Sequence, residues 1–517
     1  MSDTNDQGIT VTEIAAMDQA VDVAAETTAA FAGRALRGPL NIPILVDSYA
    51  AFEKRFGGIW HRSNLAPAVK QFFEHGGARL YVVRIANNAR GAMIALPATG
   101  GVLVLHALEP GSTERIRAAV DYDGIDDADT EHFNLVVQRI APATGMIVDQ
   151  EIFTRVCSSE ESRNFIGSAM LNSRLVSLQF PLPVGRPQVT VDENASYRAG
   201  YVGHAQRGSD GLELSDYDLI GSGYDNTGIF SLNQVEHFDL LYLPPPTREL
   251  DIGPAAVLAA EQYCHRRGAM LILDPLASWT TVERALDGVR HSGFASPDIV
   301  SYYPRVRERS ARSDQQYVAG GALAGLLCKL DRQHGPWEDL DQLGMGLSRN
   351  LIPAAEINVE QARQLVREGL NVIAGQAAGC ATICGSVTLG RGTQMDRKFS
   401  SLTVRRLCLM ITNQVERATR WAVFEPLGQR VTERIHGQVD GYMSYLANSG
   451  AFSNDHFIVQ CETELRSDAF DPERGVNILL AFRPAGTDED ITLTLHQTIA
   501  GCRVAVTAFA PVAVQVA

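Results

Sequence analysis

Side chains able to do chemistry are few and scattered in this chain. Asp274 follows the apolar run 269–273, where an α/β enzyme places a catalytic group at a strand's C-terminal end, and Ser278 and His291 lie downstream as partners for a hydrolase or transferase. The competing reading is that Asp274-Pro275 caps the following turn. Asp121, Asp123, Asp126, Asp127, Asp129 and Glu131 concentrate carboxylates as a calcium loop does, but position 125 is Ile125 and the twelve-residue pattern fails, so a solvated loop is expected. Cys380 and Cys384 form the one close cysteine pair, with no His or second Cys pair nearby to complete a zinc site. Gly221-Ser222-Gly223 with Gly228 imitates a dinucleotide fingerprint, yet the third glycine is misplaced and no strand-to-helix switch surrounds it. The phosphate loop G-x-x-x-x-G-K-[ST], the zinc helix H-E-x-x-H and the nucleophile elbow G-x-S-x-G are all missing. No catalytic residue, metal or cofactor is expected, and an α/β hydrolase-like enzyme using Asp274, Ser278 and His291 stands as the alternative of another class.

The composition narrows the partners. With 517 residues there is room for about three domains. The 45 Lys+Arg against 60 Asp+Glu give a net charge of -15, a sign that disfavours phosphate backbones and anionic lipid, so direct contact with nucleic acid or membrane is not expected. Residues 1–7 carry two aspartates and no basic residue, unlike a secretory signal. The charge-free run between Glu368 and Arg391 is too rich in glycine for a spanning helix and reads as two strands joined by a glycine turn. Eight cysteines spread through the chain lack the density of a disulfide scaffold.

The elements follow from periodicity. Residues 29–35 read as a strand, Asn64 as the cap of a helix with Leu65, Ala68, Val69, Phe72 and Phe73 on its apolar positions, Gly76-Gly77 as its stop, and 80–85 as a second strand. From 87 to 235 short apolar stretches alternate with turn-forming clusters, giving a β-rich insert. The α/β rhythm then returns, with strands at 238–243, 269–273 and 299–303 and a helix from Pro254 to Gly268. Two amphipathic helices follow, one with Val404, Leu407, Cys408, Ile411, Val415 and Ala418 on its apolar face, the other with Val431, Ile435, Val439, Tyr442, Met443 and Leu446. Strands are expected at 457–461, 475–482 and 490–498.

Both ends carry strand patterns. Residues 8–14 alternate Ile9 and Val11 with threonines and continue to Ile14, and the segment from Val504 and Val506 onward has no charged side chain. Such strands need a hydrogen-bonding partner, supplied by another chain through β-augmentation or by the subunit's own sheet.

Several ordered motifs resemble contractile phage tail sheath proteins. They are Gly-Ile-Thr-Val-Thr-Glu-Ile at 8–14, Thr-Thr-Ala-Ala-Phe-Ala-Gly-Arg-Ala at 27–35 with Gly38-Pro39, and Ser-Tyr-Ala-Ala-Phe-Glu-Lys-Arg-Phe-Gly-Gly at 48–58. The series continues with 68–77 running into Tyr81-Val82-Val83-Arg84, then Gly208-Ser209-Asp210-Gly211, Ile272-Leu273-Asp274-Pro275, Tyr302-Tyr303-Pro304 and Gly335-Pro336-Trp337. It closes with 369–373, Val404-Arg405-Arg406-Leu407 and 416–426. The first strand lacks the family's usual proline and tyrosine, 386–389 read Ser-Val-Thr-Leu where the family commonly has an arginine, and the insert matches only in outline.

The resemblance implies a non-enzymatic subunit that stacks as hexameric rings around an inner tail tube and contracts to drive the tube through a cell envelope. It implies neighbouring sheath subunits, the tube protein, baseplate and tail terminator proteins as partners. The place is a virion tail, assembled in the bacterial host cytoplasm and then extracellular; viral genome ejection is the phage role, and a bacteriocin-like or other extracellular injection particle is the alternative. The fold class expected is multidomain α/β, with a core discontinuous in sequence, a β-rich inserted domain and extended N- and C-terminal strand arms. Its parts are an arm and linker at 1–26, the first core segment at 27–86, the outward-facing insert at 87–235, a middle domain at 236–350, a tube-facing C-terminal domain at 351–501 and an arm at 502–517. Ile9, Val11, Ile14, Val504 and Val506 are the candidate intersubunit strand residues, Arg405, Arg406, Arg417 and Arg420 a candidate tube-facing helix surface, and Cys502 a candidate intersubunit thiol.

Overall fold

The computed structural model describes residues 26–190, 200–247, 250–309, 315–375, 381–390, 398–425, 428–466, 473–498 and 501–506. The chain divides into two compact units, one formed by Thr27–His334 with Glu338–Leu402, the other chiefly by the chain from Thr403.

The first unit is built on an eight-stranded sheet. Its strands are β1 (Ala29–Gly33), β2 (Ile44–Val46), β3 (Leu80–Arg84), β10 (Leu240–Tyr242), β11 (Met270–Leu273), β12 (Ile299–Tyr303), β15 (Asn371–Gly375) and β16 (Ala381–Cys384). The order is β16-β15-β12-β11-β10-β1-β3-β2, so strands from both sides of a long intervening segment lie side by side. The six central strands are parallel, and β2 and β16 close the edges antiparallel. Parallel strands need crossovers, and helices α1 (Tyr49–Phe56), α2 (Leu65–Glu74), α5 (Pro254–Arg267), α6 (Val282–His291), α7 (Gly320–Gln333) and α8 (Val359–Arg367) supply them. Alternation along each strand feeds two cores. Ala30, Ala32, Val83, Leu241, Leu271 and Ile299 pack with Val257, Ala260, Ala285 and Leu286 of α5 and α6. Phe31 points the other way, edge-on to Phe72 of α2 at 5.4 Å and to Tyr242 at 5.1 Å.

Local signals explain most helix ends. Pro254 opens α5 in its first turn, and Gly268 closes it at φ 63°, a left-handed position that suits glycine. The cap of α2 departs from expectation. The Ser63 hydroxyl accepts from Leu65 N at 3.0 Å and donates to the Arg34 carbonyl, whereas Asn64 makes no cap bond and donates its amide to the Pro245 carbonyl at 2.9 Å. The tertiary acceptor on the β10 side holds the Asn64 side chain away from the helix's own N–H donors.

Between β3 and β10 lie two antiparallel three-stranded sheets: β4 (Met93–Ala98), β5 (Gly101–Ala107) and β9 (Val176–Leu178), then β6 (Ile116–Asp121), β7 (Phe133–Ile140) and β8 (Ile147–Val156). Two short helices, α3 (Ile166–Met170) and α4 (Asp216–Ile220), follow in this span, and Ile94, Leu103, Leu105, Val120, Phe133 and Leu135 give the two sheets a core of their own. The β-rich stretch ends earlier than position 235, because Leu214, Leu219, Ile229 and Leu232 are buried in the α/β core. The 351–402 stretch also differs from expectation, since it supplies β15 and β16 to the large sheet. A short antiparallel pair, β13 (Val306–Glu308) with β14 (Leu351–Pro353), completes this unit's described strands.

The second unit places helices α9 (Leu402–Thr419, with Leu402 counted in the first unit) and α10 (Gln429–Asn448) with a sheet of order β17-β18-β19-β20. These strands are β17 (Phe452–Arg466), β18 (Glu473–Pro484), β19 (Ile491–Thr498) and β20 (Gly501–Val506), all antiparallel neighbours. Val476, Ile478, Leu480, Phe482, Ile491, Leu493 and Leu495 are buried at period two, as the helix residues named above are at period 3.6.

Candidate functional site

The hydrolase constellation is not assembled. The Tyr242 hydroxyl donates to Asp274 Oδ2 and the Gly320 amide, in the first turn of α7, donates to Oδ1 at 3.1 Å. Burial pushes the Asp274 carboxyl up to about 6, against the pull of those donors and of Arg305. Asp274 thus ties β11 to β10 and to a helix start. Ser278 is exposed in the following loop, and His291 is an exposed residue whose Nδ1 lies 2.9 Å from the Asp287 carbonyl of its own helix. Because α6 crosses between the parallel strands β11 and β12, it runs back along the sheet, and its length carries His291 about 15 Å toward the opposite end from Asp274.

The acidic loop is held by its own backbone. Asp121 accepts from Asp123 N, Asp126 from Ala128 N, and Asp129 from Glu131 N and the His132 ring, which holds the Asp129 carboxyl down at about 2. Among the described residues no group of three or more His, Cys, Asp or Glu side chains is arranged to hold a metal. Cys380 lies outside the described residues.

The end of α9 and β19 form a buried polar site in the second unit. Gln497 occupies the inward position that continues the series Ile491, Leu493, Leu495, and it is buried. Its Oε1 accepts from the Thr419 hydroxyl, which also lies 2.7 Å from the Val415 carbonyl, and its Nε2 donates to the Glu416 carbonyl at 3.0 Å. The helix end therefore bonds to β19 through the Glu416 carbonyl and the Thr419 hydroxyl. A glutamine that continues the otherwise apolar inward series of β19 is the sequence signal for this clamp, and it is absent from the expectations above.

β20 lies at the sheet edge beside β19, with Val504 opposite Leu495 and Val506 opposite Leu493. In the described residues the terminal strand therefore completes the subunit's own sheet, one of the two partners considered above. Among the described residues no strand pairs with the outer edge of β20, and Val504 stays 44% exposed although it shares the core face with Leu495. Ile9, Val11 and Ile14 lie outside the described residues. Cys502 sits opposite Gln497, on the inward face, and burial with Glu416 pushes its thiol up to about 12. A thiol placed there faces its own unit and is a weak nucleophile, against its expected role as an intersubunit link.

The arginines expected as one helix surface differ in exposure. Arg405 and Arg406 are buried. Arg417 is half-buried, and Arg420 is exposed but gripped by Glu416 of the preceding turn at 2.9 and 3.1 Å. Next to it, Arg434 stacks 4.1 Å over Trp421 and pairs with Glu425 at 3.0 Å, while Phe424 is 76% exposed. The accessible surface here combines neutralised charge with an exposed aromatic ring.

No family model and no curated protein matches the chain. Solved structures do. The sheath tail protein from Listeria innocua superimposes with a TM-score of 0.60 at 13% identity over 91% of this chain and 94% of that one. The sheath tail protein from Desulfitobacterium hafniense gives 0.54 at 13% over 95% and 100%. The helical sheath of the anti-feeding prophage in its contracted state gives 0.53 at 14% over 94% and 97%. These neighbours are sheath proteins by description, not enzymes, and the chain shares their mixed α/β fold over nearly its whole length.

Proposed function

We propose that this chain is a structural, non-enzymatic subunit of a contractile sheath that stacks as hexameric rings around an inner tube and contracts to drive the tube through a target envelope. The observation that carries the reading is the fold shared with sheath proteins across more than nine-tenths of both chains. The scattered Asp274, Ser278 and His291 favour it over the hydrolase. In this reading the two sheets at 93–178 form an inserted domain facing outward, and the outer edge of β20 accepts or donates a strand between subunits, together with residues 8–14. Tube, baseplate and terminator proteins are the partners, and a phage tail is the setting. A genome-free extracellular injection particle is a second reading, favoured by the likeness to the sheath complex of an extracellular contractile injection system, TM-score 0.51 at 14% identity. Negative-stain microscopy of the overexpressed protein tests the proposal. Tubes of stacked rings are expected, and a dispersed monomer at high concentration would refute it.

A further inference from the structure

The chain leaves the large sheet after β3 and returns to the α/β core at Leu214, and both crossings meet the loop that follows β5. Arg84, the last residue of β3, is 1% exposed. Its guanidinium donates to the carbonyls of Ala35 at 3.0 Å and Gly38 on the α/β side and of Pro110 at 2.8 Å on the β-rich side. Arg34, at the end of β1, donates to the carbonyls of Asp210 at 3.1 Å and Gly211 at 3.0 Å and lies over the Trp60 ring. Arg55 of α1 pairs with buried Glu109 at 2.7 Å, and Asp210 accepts from both the amide and hydroxyl of Ser112. Burial lowers the Arg84 guanidinium to about 10, which leaves it charged at neutral pH.

The backbones themselves touch. Arg90 and Ser209 exchange two bonds at 3.0 and 2.8 Å, and Leu212 N donates to the Asn87 carbonyl at 2.8 Å. A side chain at Gly208 would sit 2.3 Å from the Gly111 carbonyl, and one at Gly211, where φ is +75°, 2.0 Å from the Asn87 carbonyl. A hinge needs soft torsions and few buried polar contacts. These crossings have the opposite character, because any swivel would strip carbonyls from buried guanidinium groups.

We propose that Arg34, Arg55 and Arg84 lock the two β sheets of the insert onto the α/β sheet as a rigid joint, so that the insert and the sheet move as one body and a load on the insert reaches the parallel sheet undamped. The inference does not depend on the sheath reading. Hydrogen exchange followed by mass spectrometry on the full chain tests it. In the wild type, segments 86–91, 108–112 and 207–212 should be protected like β1 and β10. Arg84→Met should raise exchange in those segments by about tenfold or more while β6, β7 and β11 stay unchanged, the signature of local release. Unprotected crossings in the wild type, or a folded Arg84→Met with unchanged exchange, would overturn the proposal. Should Arg84→Met not fold, Arg55→Ala decides: a rise confined to 108–112 supports the joint and unaltered protection refutes it.

Discussion

Deleting residues 502–517 is the sharpest perturbation of the proposed assembly. The pairing of β20 with β19 spans six residue pairs. The deletion removes five of them; at about 0.5–1.5 kcal/mol net per bond and about one bond per pair, they contribute roughly 2.5–7.5 kcal/mol, while fixing five backbones costs about 1–2 kcal/mol each, roughly 5–10 in all. The ranges overlap, and half-exposed Val504 adds little burial, so β20 sits near balance on its own sheet. A strand near balance can be exchanged for another without unfolding what it leaves. The core beneath it does not depend on it, because Leu493 and Leu495 also pair with Leu480 and Ile478 of β18. The truncated chain should therefore keep its circular dichroism spectrum and sediment as a small species under conditions where the full chain forms tubes. Two results would refute the reasoning. Loss of the C-terminal unit's unfolding transition would make β20 an indispensable internal strand, and tubes from the truncated chain would make the tail dispensable for linkage.

Phe31→Ala should destabilise the α/β unit by about 3–5 kcal/mol, because it empties the space between Phe72 and Tyr242, whereas Phe424→Ala on an exposed ring should change stability by less than about 0.5 kcal/mol; urea unfolding checks both. With its thiol held near 12, Cys502 of the unassembled subunit should react with iodoacetamide at pH 8 about a thousandfold more slowly than a thiol of ordinary pKa, and labelling at the ordinary rate would contradict the inward placement. Asp274 titrates in the folded state at about 6, above its unfolded value, so its stabilising contribution is complete below the unfolded value and is lost as pH rises through about 6. Asp274→Asn should flatten the stability profile between pH 4 and 7, and an unchanged slope would locate the titration elsewhere.

Much of the architecture was legible because local chemistry and tertiary need agree. Pro254 and Gly268 bound α5, and the apolar faces from Val404 to Ala418 and from Val431 to Leu446 are the faces the structure buries. Where they compete, tertiary packing overrides the local signal. Asn64 looks like a cap, but its amide finds Pro245, and Ser63 caps in its place. Arg405 and Arg406 look like surface charges and are buried. The stretch after 211 lacks clear helical periodicity, yet Leu214 and Ile229 belong to the α/β core, because burial there depends on which sheet the chain returns to.

The types of most elements are written in the chain itself, because periodicity, caps and turn residues are properties of neighbours along the chain. Long-range pairing alone puts β1 between β3 and β10, returns β20 to β19 with Cys502 turned inward, and brings Arg34, Arg55 and Arg84 to the carbonyls and carboxylate of the insert. Those pairings join residues far apart in sequence, and a buried guanidinium finds its acceptors only where the folded backbones bring them within hydrogen-bond reach.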